Sequence, residues 1–178
     1  MASRTKSTAT TTSLERASWK GSSVHVVAKT QTIRDRVAHG APGLTLSLSS
    51  LLRLKPGADL ELAVRNGLPF SAFSAVEECL GVTTAQLSKH IRIPSRTLNR
   101  RMHDNALNPE ESDRLTRLGS ILAKAITLFD GDEAAARKWM LAPSRALAGM
   151  TPLQRSDTHL GAQEVATLID QIEEGVFV

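Results

Sequence analysis

One short stretch of the chain concentrates residues that are able to bind a nucleic acid. Between Thr84 and Asp104 there are five basic residues, and Asp104 is the only acidic one. An arginine can donate two hydrogen bonds to guanine in the major groove, and an asparagine can bond adenine in two places. Other cations, hydroxyls and helix N-termini can hold phosphates. We therefore predict DNA contacts from a set of polar residues: Thr84, Lys89, Ser95, Arg96, Asn99, Arg100 and Arg101.

Two short helices would have to position these side chains. The first is predicted to begin at Thr83 or Thr84 and to be broken at Pro94, because proline cannot continue a helix. The second spans about residues 95–104. Two helices of this length, joined by a break of a few residues at 91–95, are typical of a helix-turn-helix.

The second helix has two chemically different sides. Rotation by 100° per residue places Leu98 and Met102 on one side, where Leu98 can share a small core with Leu87 and Ile93. The opposite side carries Arg96, Asn99, Arg100 and His103. An alternative interpretation is that this basic face is merely solvated.

Two positions depart from common helix-turn-helix patterns. Arg92 stands in the turn, where a small residue is usual, and Ser88 stands where alanine is usual.

The rest of the chain also favours helices. Proline and glycine at residues 55–57 mark a first boundary, and helices are predicted at about 58–65 and 70–80. A long helix begins with the cap at Asn108 and ends at Gly131. Beyond it, Asp132 and Thr151 each cap a shorter helix, and a final helix runs over about 162–174. We predict an all-α fold with an extension at 1–55, partly disordered over 1–13, and domains at 56–130 and 131–178.

Within the extension, residues 24–54 give a mixed signal. Residues 24–27 are β-like, and the alternation of Leu44, Leu46 and Leu48 with polar residues fits either a strand or the start of a helix.

Composition indicates what kind of core the protein has and in which environment it works, and charge is distributed unevenly along the chain. With 41% hydrophobic but only 3% aromatic residues, the core must use aliphatic side chains. The lone cysteine, Cys79, is predicted to be a buried thiol, and no segment has the length of a membrane span. We expect a soluble, cytoplasmic protein. The net charge is +4, yet residues 157–178 contain five acidic residues and no lysine or arginine, so the two ends should attract different partners.

The sequence offers little for catalysis. There is no glycine-rich phosphate loop, no paired cysteines for zinc and no nucleophile motif. The five histidines lack the spacing of metal ligands. We therefore predict no enzyme activity, catalytic residue, cofactor or metal.

From about residue 58 onward, the chain resembles the Xre/MbcA/ParS family of antitoxins. The resemblance rests on the order of several separated motifs: GLPFSAF at 67–73, IPSRTLNRR at 93–101, NPEESDRLTRL at 108–118, ARKWMLAPSRALAGMTPL at 136–153, then Asp157, Thr158, Gly161, Glu164, Val165, and IEEGVF at 172–177. The chain departs from the family pattern at Ser144 (commonly Asn), Ala148 (commonly Gly) and Arg155 (commonly apolar).

The resemblance implies an Xre/Cro-like helix-turn-helix domain, joined by a long helix to a small helical toxin-binding domain. It implies a bacterial antitoxin that dimerises, represses its own operon by binding operator DNA, and covers the active site of an NAD-depleting RES-domain toxin with its C-terminal region. The toxin contacts it suggests are Trp139, Arg145, Leu147, Glu173, Glu174, Gly175, Val176, Phe177 and Val178. The remaining alternative is a stand-alone transcriptional regulator whose C-terminal domain only dimerises.

Overall fold

A computed structural model describes residues 47–175 of the chain. Within this range the backbone is helical and forms no strand, apart from an isolated bridge between Pro69 and Ala106. The elements are α1 (Leu48–Leu51), α2 (Leu60–Asn66), α3 (Phe70–Leu80), α4 (Thr84–His90), α5 (Ser95–Asp104), α6 (Pro109–Leu128), α7 (Glu133–Leu141), a 3-10 turn (Arg145–Leu147), α8 (Pro152–Arg155) and α9 (His159–Glu174). The predicted all-α fold is confirmed. None of these helices is long and apolar enough to cross a membrane.

Local chemistry explains where most helices begin. Thr83, Asn108 and Thr151 each accept a hydrogen bond from a backbone N–H three residues later, and the side chain of that later residue bonds back to the cap. Such reciprocal caps satisfy donors that a helix N-terminus otherwise leaves unpaired. The final helix begins three residues before the predicted position, because Thr158 accepts from Gly161 and caps it.

Helix α6 is the central element of the fold. It packs against α1, α2 and α3 on the N-terminal side, and against α7 and α9 on the C-terminal side. Leu115 and Leu122 are fully buried along it, as are Val165 and Ile169 on α9. The buried residues form one continuous cluster, so the two halves share a core built around α6.

The short helix α1 lies in the segment that the sequence assigns to the extension. Leu51 and Leu52 are buried against α6, and a Cβ at Gly119 would lie 3.2 Å from Leu48 and 3.3 Å from Leu52. Of the two possibilities left open for Leu48, the structure has the helix. The tail predicted at 1–13, the β-like segment at 24–27 and residues 176–178 lie outside the described range. The domain boundaries stay predictions.

The single cysteine is a buried thiol, as predicted. Cys79 is 7% exposed near the end of α3. Burial raises its pKa to about 11, with the nearby carboxylate of Glu133 adding to the shift. A neutral thiol packs in this position as a small apolar side chain.

Among the described residues, five with side chains have a positive φ, and two of these five stand at positions where the sequence departs from a common pattern. Arg92 in the turn before α5 has a φ of 57°, and Ala148 after the 3-10 turn has a φ of 55°. These are the positions where the sequence departs from the small residue or glycine that is usual. A β-carbon there is strained, because it approaches the following carbonyl oxygen.

Replacing Ala148 with glycine should therefore stabilise the protein, by about 0.5–1 kcal/mol in urea unfolding. The matched control is Ala146→Gly in the same turn, where φ is not positive and glycine only adds freedom to the unfolded chain. That control should lose stability. An equal loss in both variants would show that the conformation of residue 148 carries no strain.

Candidate nucleic-acid interface and toxin-binding face

Helices α4 and α5 form a helix-turn-helix with a small apolar core. Leu87, Ile93 and Leu98 are all buried, as the sequence predicts. In the turn, the Ile93 N–H donates to the carbonyl of Ser88 at 2.8 Å. The unusual serine at this position is buried, and its hydroxyl donates to the carbonyl of Ala85 at 3.0 Å. A polar residue is thus accommodated without an unpaired hydroxyl.

The predicted DNA-contacting side chains come together on one exposed surface, with two exceptions. Its members are Lys89, Ser95, Arg96, Asn99 and Arg100, and all are exposed. None of its cations forms an ion pair with a partner among residues 47–175. An unpaired cation loses little by transferring to a phosphate or base edge, so this surface is suited to an anionic partner.

Arg101 is the first exception, because its side chain is paired within the fold, and its role as a DNA contact stays a prediction. Its Nε donates to Glu111 Oε2 at 2.7 Å and its Nη2 to Oε1 at 3.2 Å. Both side chains are largely buried, at 17% and 6% exposure. The guanidinium therefore ties the end of α5 to the start of α6 instead of projecting with Arg96 and Arg100.

Thr84 is the second exception. It is half-buried, and its hydroxyl donates to Glu77 Oε1 at 2.5 Å. The bond joins α4 to α3, so this hydroxyl supports the geometry of the motif and is already occupied.

Met102 lies in a place that sequence periodicity does not reveal. Periodicity puts it on the apolar side of α5 with Leu98, yet it is 51% exposed while Leu98 is buried. The side chain lines an open groove between α4 and α5. A helical wheel shows which way the Met102 side chain points, but not how far the core extends along α5.

The predicted toxin contacts are spread over several environments. Leu147 is buried, and Trp139 is partly buried with its ring centroid 6.5 Å from that of Phe129, so both pack within the domain. Arg145 is exposed. The 3-10 turn directs Leu147 into the core, and its role as a toxin contact stays a prediction.

The end of α9 is acidic and exposed. Glu173 and Glu174 are the last helical residues, and Gly175 closes the helix in a left-handed conformation. Partial desolvation of its carboxyl group and the nearby charge of Asp170 raise the pKa of Glu173. The remaining predicted contacts, Val176, Phe177 and Val178, lie outside the described residues.

Three exposed apolar residues of the C-terminal half were missed by sequence reasoning: Leu141, Met150 and Leu160. Leu160 is 71% exposed. Its angular offset from the buried stripe of α9 is the signal that could have identified it. Nearby, Arg155 donates to Glu164 at 2.5 Å, and this hydrogen bond lowers the pKa of Glu164.

Polar contacts fasten the C-terminal half to the helix-turn-helix. Arg137 on α7 donates to the carbonyls of Cys79 and Glu78, at 2.9 and 3.2 Å, and so caps the C-terminus of α3. His90 at the end of α4 lies 2.6 Å from Asp157, Nδ1 to Oδ1. The ends of α3 and α4 therefore both contact the C-terminal half directly.

Comparison with known proteins agrees with this geometry. The chain matches the model of the antitoxin Xre-like helix-turn-helix domain over residues 59–119, and that of the antitoxin Xre/MbcA/ParS C-terminal toxin-binding domain over residues 124–175.

Among the described residues, no cluster of three or more His, Cys, Asp or Glu could hold a metal ion.

Curated relatives are similar over most of both domains. A protein named Antitoxin Xre from Yersinia enterocolitica is 34% identical over 122 residues, which are 68% of this chain and 82% of the relative. Antitoxin Xre from Photorhabdus laumondii is 30% identical over 121 residues, or 67% and 82% of the two chains. Antitoxin Xre from Pseudomonas putida is 39% identical over 84 residues, or 47% and 52%.

The fold and site define a regulatory protein with a DNA-binding module and a partner-binding module. The chain belongs to the Xre/MbcA/ParS family of antitoxins. Its partners are accordingly DNA, through the helix-turn-helix, and a toxin, through the C-terminal domain.

Proposed function

We propose that this antitoxin inhibits an NAD-depleting RES-domain toxin by covering the toxin's active site with its C-terminal region. We also propose that it represses its own operon as a DNA-binding homodimer. Both activities would take place in the bacterial cytoplasm, with the protein on the nucleoid when it is bound to its operator. The observation that carries the proposal is the separation of charge between the basic surface of α5 and the acidic end of α9.

The DNA half of the proposal is supported by α5. Arg96 and Arg100 are exposed one helical turn apart, and Asn99 lies between them in sequence. This combination can read guanine and adenine from one helix in a major groove. A two-fold dimer would present two such helices to successive major grooves, about 34 Å apart.

The toxin half is supported by the chemistry of the C-terminal domain. Residues 157–178 contain no lysine or arginine, and Glu173 and Glu174 are exposed where α9 ends. A site built for a dinucleotide needs positive charge for its phosphates, so an acidic segment complements it. Phe177 would add an apolar anchor.

Arg96→Ala and Arg100→Ala should each weaken operator binding by about 1–3 kcal/mol if each makes a bidentate base contact. The measurement is fluorescence anisotropy with a duplex from upstream of the gene. Arg65→Ala is the matched control, because it removes the same charge from an exposed position on α2, which is not part of the helix-turn-helix. If both α5 variants bind operator DNA as tightly as the wild type, α5 is not the recognition helix.

We expect the gene beside this one to encode a RES-like protein that is toxic alone and tolerated when both are expressed. The two proteins should co-purify. Deletion of residues 175–178 should release the toxicity while leaving DNA affinity unchanged, because it removes no residue of α4 or α5.

Two outcomes would contradict this mechanism. A harmless neighbour that does not co-purify would leave the alternative, a stand-alone regulator whose C-terminal domain only dimerises. If the shortened chain still neutralises the toxin fully, the antitoxin function would stand. The proposal that the C-terminal residues cover the active site would be wrong.

A further inference from the structure

Helix α5 presents two parallel stripes of exposed side chains that differ in charge. One stripe is basic and contains Arg96, Arg100 and His103. The other contains Ser95, Asn99 and Met102, at spacings of four and three residues, and carries no charge. Residues three and four apart are neighbours on a helix surface, so each stripe is continuous.

The neutral stripe forms one wall of the groove between α4 and α5. The opposite wall is made by Thr84, Ala85, Ser88 and Lys89, and Ile93 and Leu98 close the bottom. Met102 stands at the rim, half-exposed, beside the buried Leu98. Its apolar side chain therefore adjoins the surface that holds Asn99, and it gains nothing from contact with phosphates.

We propose that Met102 is a specificity-determining residue that packs against the C5 methyl group of a thymine in the major groove. This inference rests on the proposed recognition of DNA by α5. The thymine methyl is an apolar group of the major groove that side chains read by contact. Met102 provides a flexible, polarisable side chain that adapts to such a group.

The position of that thymine follows from helix geometry. Asn99 and Met102 are three residues apart, a rise of about 4.5 Å along the helix axis. Successive base pairs are about 3.4 Å apart. If Asn99 bonds adenine, the methyl read by Met102 belongs to a neighbouring base pair. The neutral stripe thus reads a short A·T-rich step, while the basic stripe reads guanine or holds phosphates.

The test begins with selection of high-affinity sites from a randomised DNA duplex library by the full-length protein. Each thymine of the selected site is then replaced singly by deoxyuridine, which removes only the methyl group. At one position next to the predicted adenine contact, the wild-type protein should lose about fourfold in affinity, the value expected for one buried methyl. Met102→Ala should bind the unmodified site with a similar loss and should not respond to deoxyuridine there.

Leu62→Ala is the matched control, because Leu62 is 56% exposed on α2 and lies outside the groove. It should respond to deoxyuridine as the wild type does. Two outcomes overturn the role of Met102 while leaving DNA recognition intact. In the first, the wild type binds a specific sequence but no deoxyuridine lowers its affinity. In the second, deoxyuridine lowers the affinity of Met102→Ala as much as that of the wild type. Absence of any selected sequence overturns the proposed DNA function together with this inference. Loss of toxin co-purification in Met102→Ala, with DNA binding unaltered, would assign the groove to the toxin and also overturn the proposal.

Discussion

Replacing Glu111 with leucine should destabilise the folded protein by about 3–5 kcal/mol, because it leaves the guanidinium of Arg101 buried without a counter-charge. Glu111 is 4% exposed and accepts two hydrogen bonds from Arg101. Its carboxylate also accepts from the backbone N–H of Asn108 at 2.9 Å, as part of the cap of α6. The substitution therefore removes an ion pair and a helix cap together. Urea unfolding followed by circular dichroism measures the loss.

Two further variants separate the ion pair from the general effect of charge. Glu110→Gln alters the adjacent acid, which is exposed and pairs with Arg114 at 3.0 Å, so its cost should be well below 1 kcal/mol. The double variant Arg101→Met with Glu111→Leu should recover most of the lost stability, because it leaves no unpaired buried charge.

The same double variant also tests the function of Arg101. If Arg101 only fastens α5 to α6, the double variant should bind operator DNA almost as tightly as the wild type. A loss comparable to that of Arg96→Ala would make Arg101 a DNA contact after all. A double variant no more stable than Glu111→Leu would contradict the ion-pair argument.

Features governed by neighbours in sequence could be predicted well. The bounds of α5 at residues 95 and 104 agree with the sequence prediction, because Pro94 sets its start and the chain turns left-handed at Asn105. The reciprocal caps at Asn108 and Thr151 could be predicted for the same reason. In each case, the residues that decide the structure lie within four positions of one another.

Features governed by distant partners could not be predicted. Arg101 is predicted to be a DNA contact because of its charge and its place in the motif, and the sequence does not show that Glu111 on α6 pairs with it. Met102 looks like a core residue, and only its place in the open groove between α4 and α5 shows that it is exposed. Helical periodicity gives the direction of a side chain but not the distance to what it faces.

The candidate toxin-binding face shows the same limit. The Ser144 N–H donates to the carbonyl of Met150, which folds residues 144–150 back on themselves. The fold-back buries Leu147 and leaves Met150 exposed, a difference that their similar hydrophobicity does not indicate. A motif of this kind indicates that the domain is present without indicating which of its apolar residues remain available to a partner.

Gly161→Ala should be the most damaging single change in the toxin-binding domain, with a loss of about 3 kcal/mol or more, at the upper end of overpacking effects. A Cβ at this position would overlap the backbone carbonyl oxygen of Arg155 and lie 2.9 Å from its carbonyl carbon. The overlap involves backbone, so no side chain can rotate to relieve it. It would separate α8 from the start of α9 and strain the cap from Thr158 to the Gly161 N–H.

The comparison that isolates this overlap is Gly131→Ala. Gly131 has a φ of 87°, and no heavy atom of a residue beyond its two chain neighbours lies within 4 Å of the place that a Cβ would occupy. Alanine there therefore meets only backbone strain, of about 1–2 kcal/mol. Urea unfolding should therefore show that Gly161→Ala is much less stable than Gly131→Ala. Gly161→Ala should also co-purify with less toxin than Gly131→Ala does. Equal losses of unfolding free energy in the two variants would mean that the junction of α8 and α9 can move to accommodate a Cβ at residue 161 at little cost.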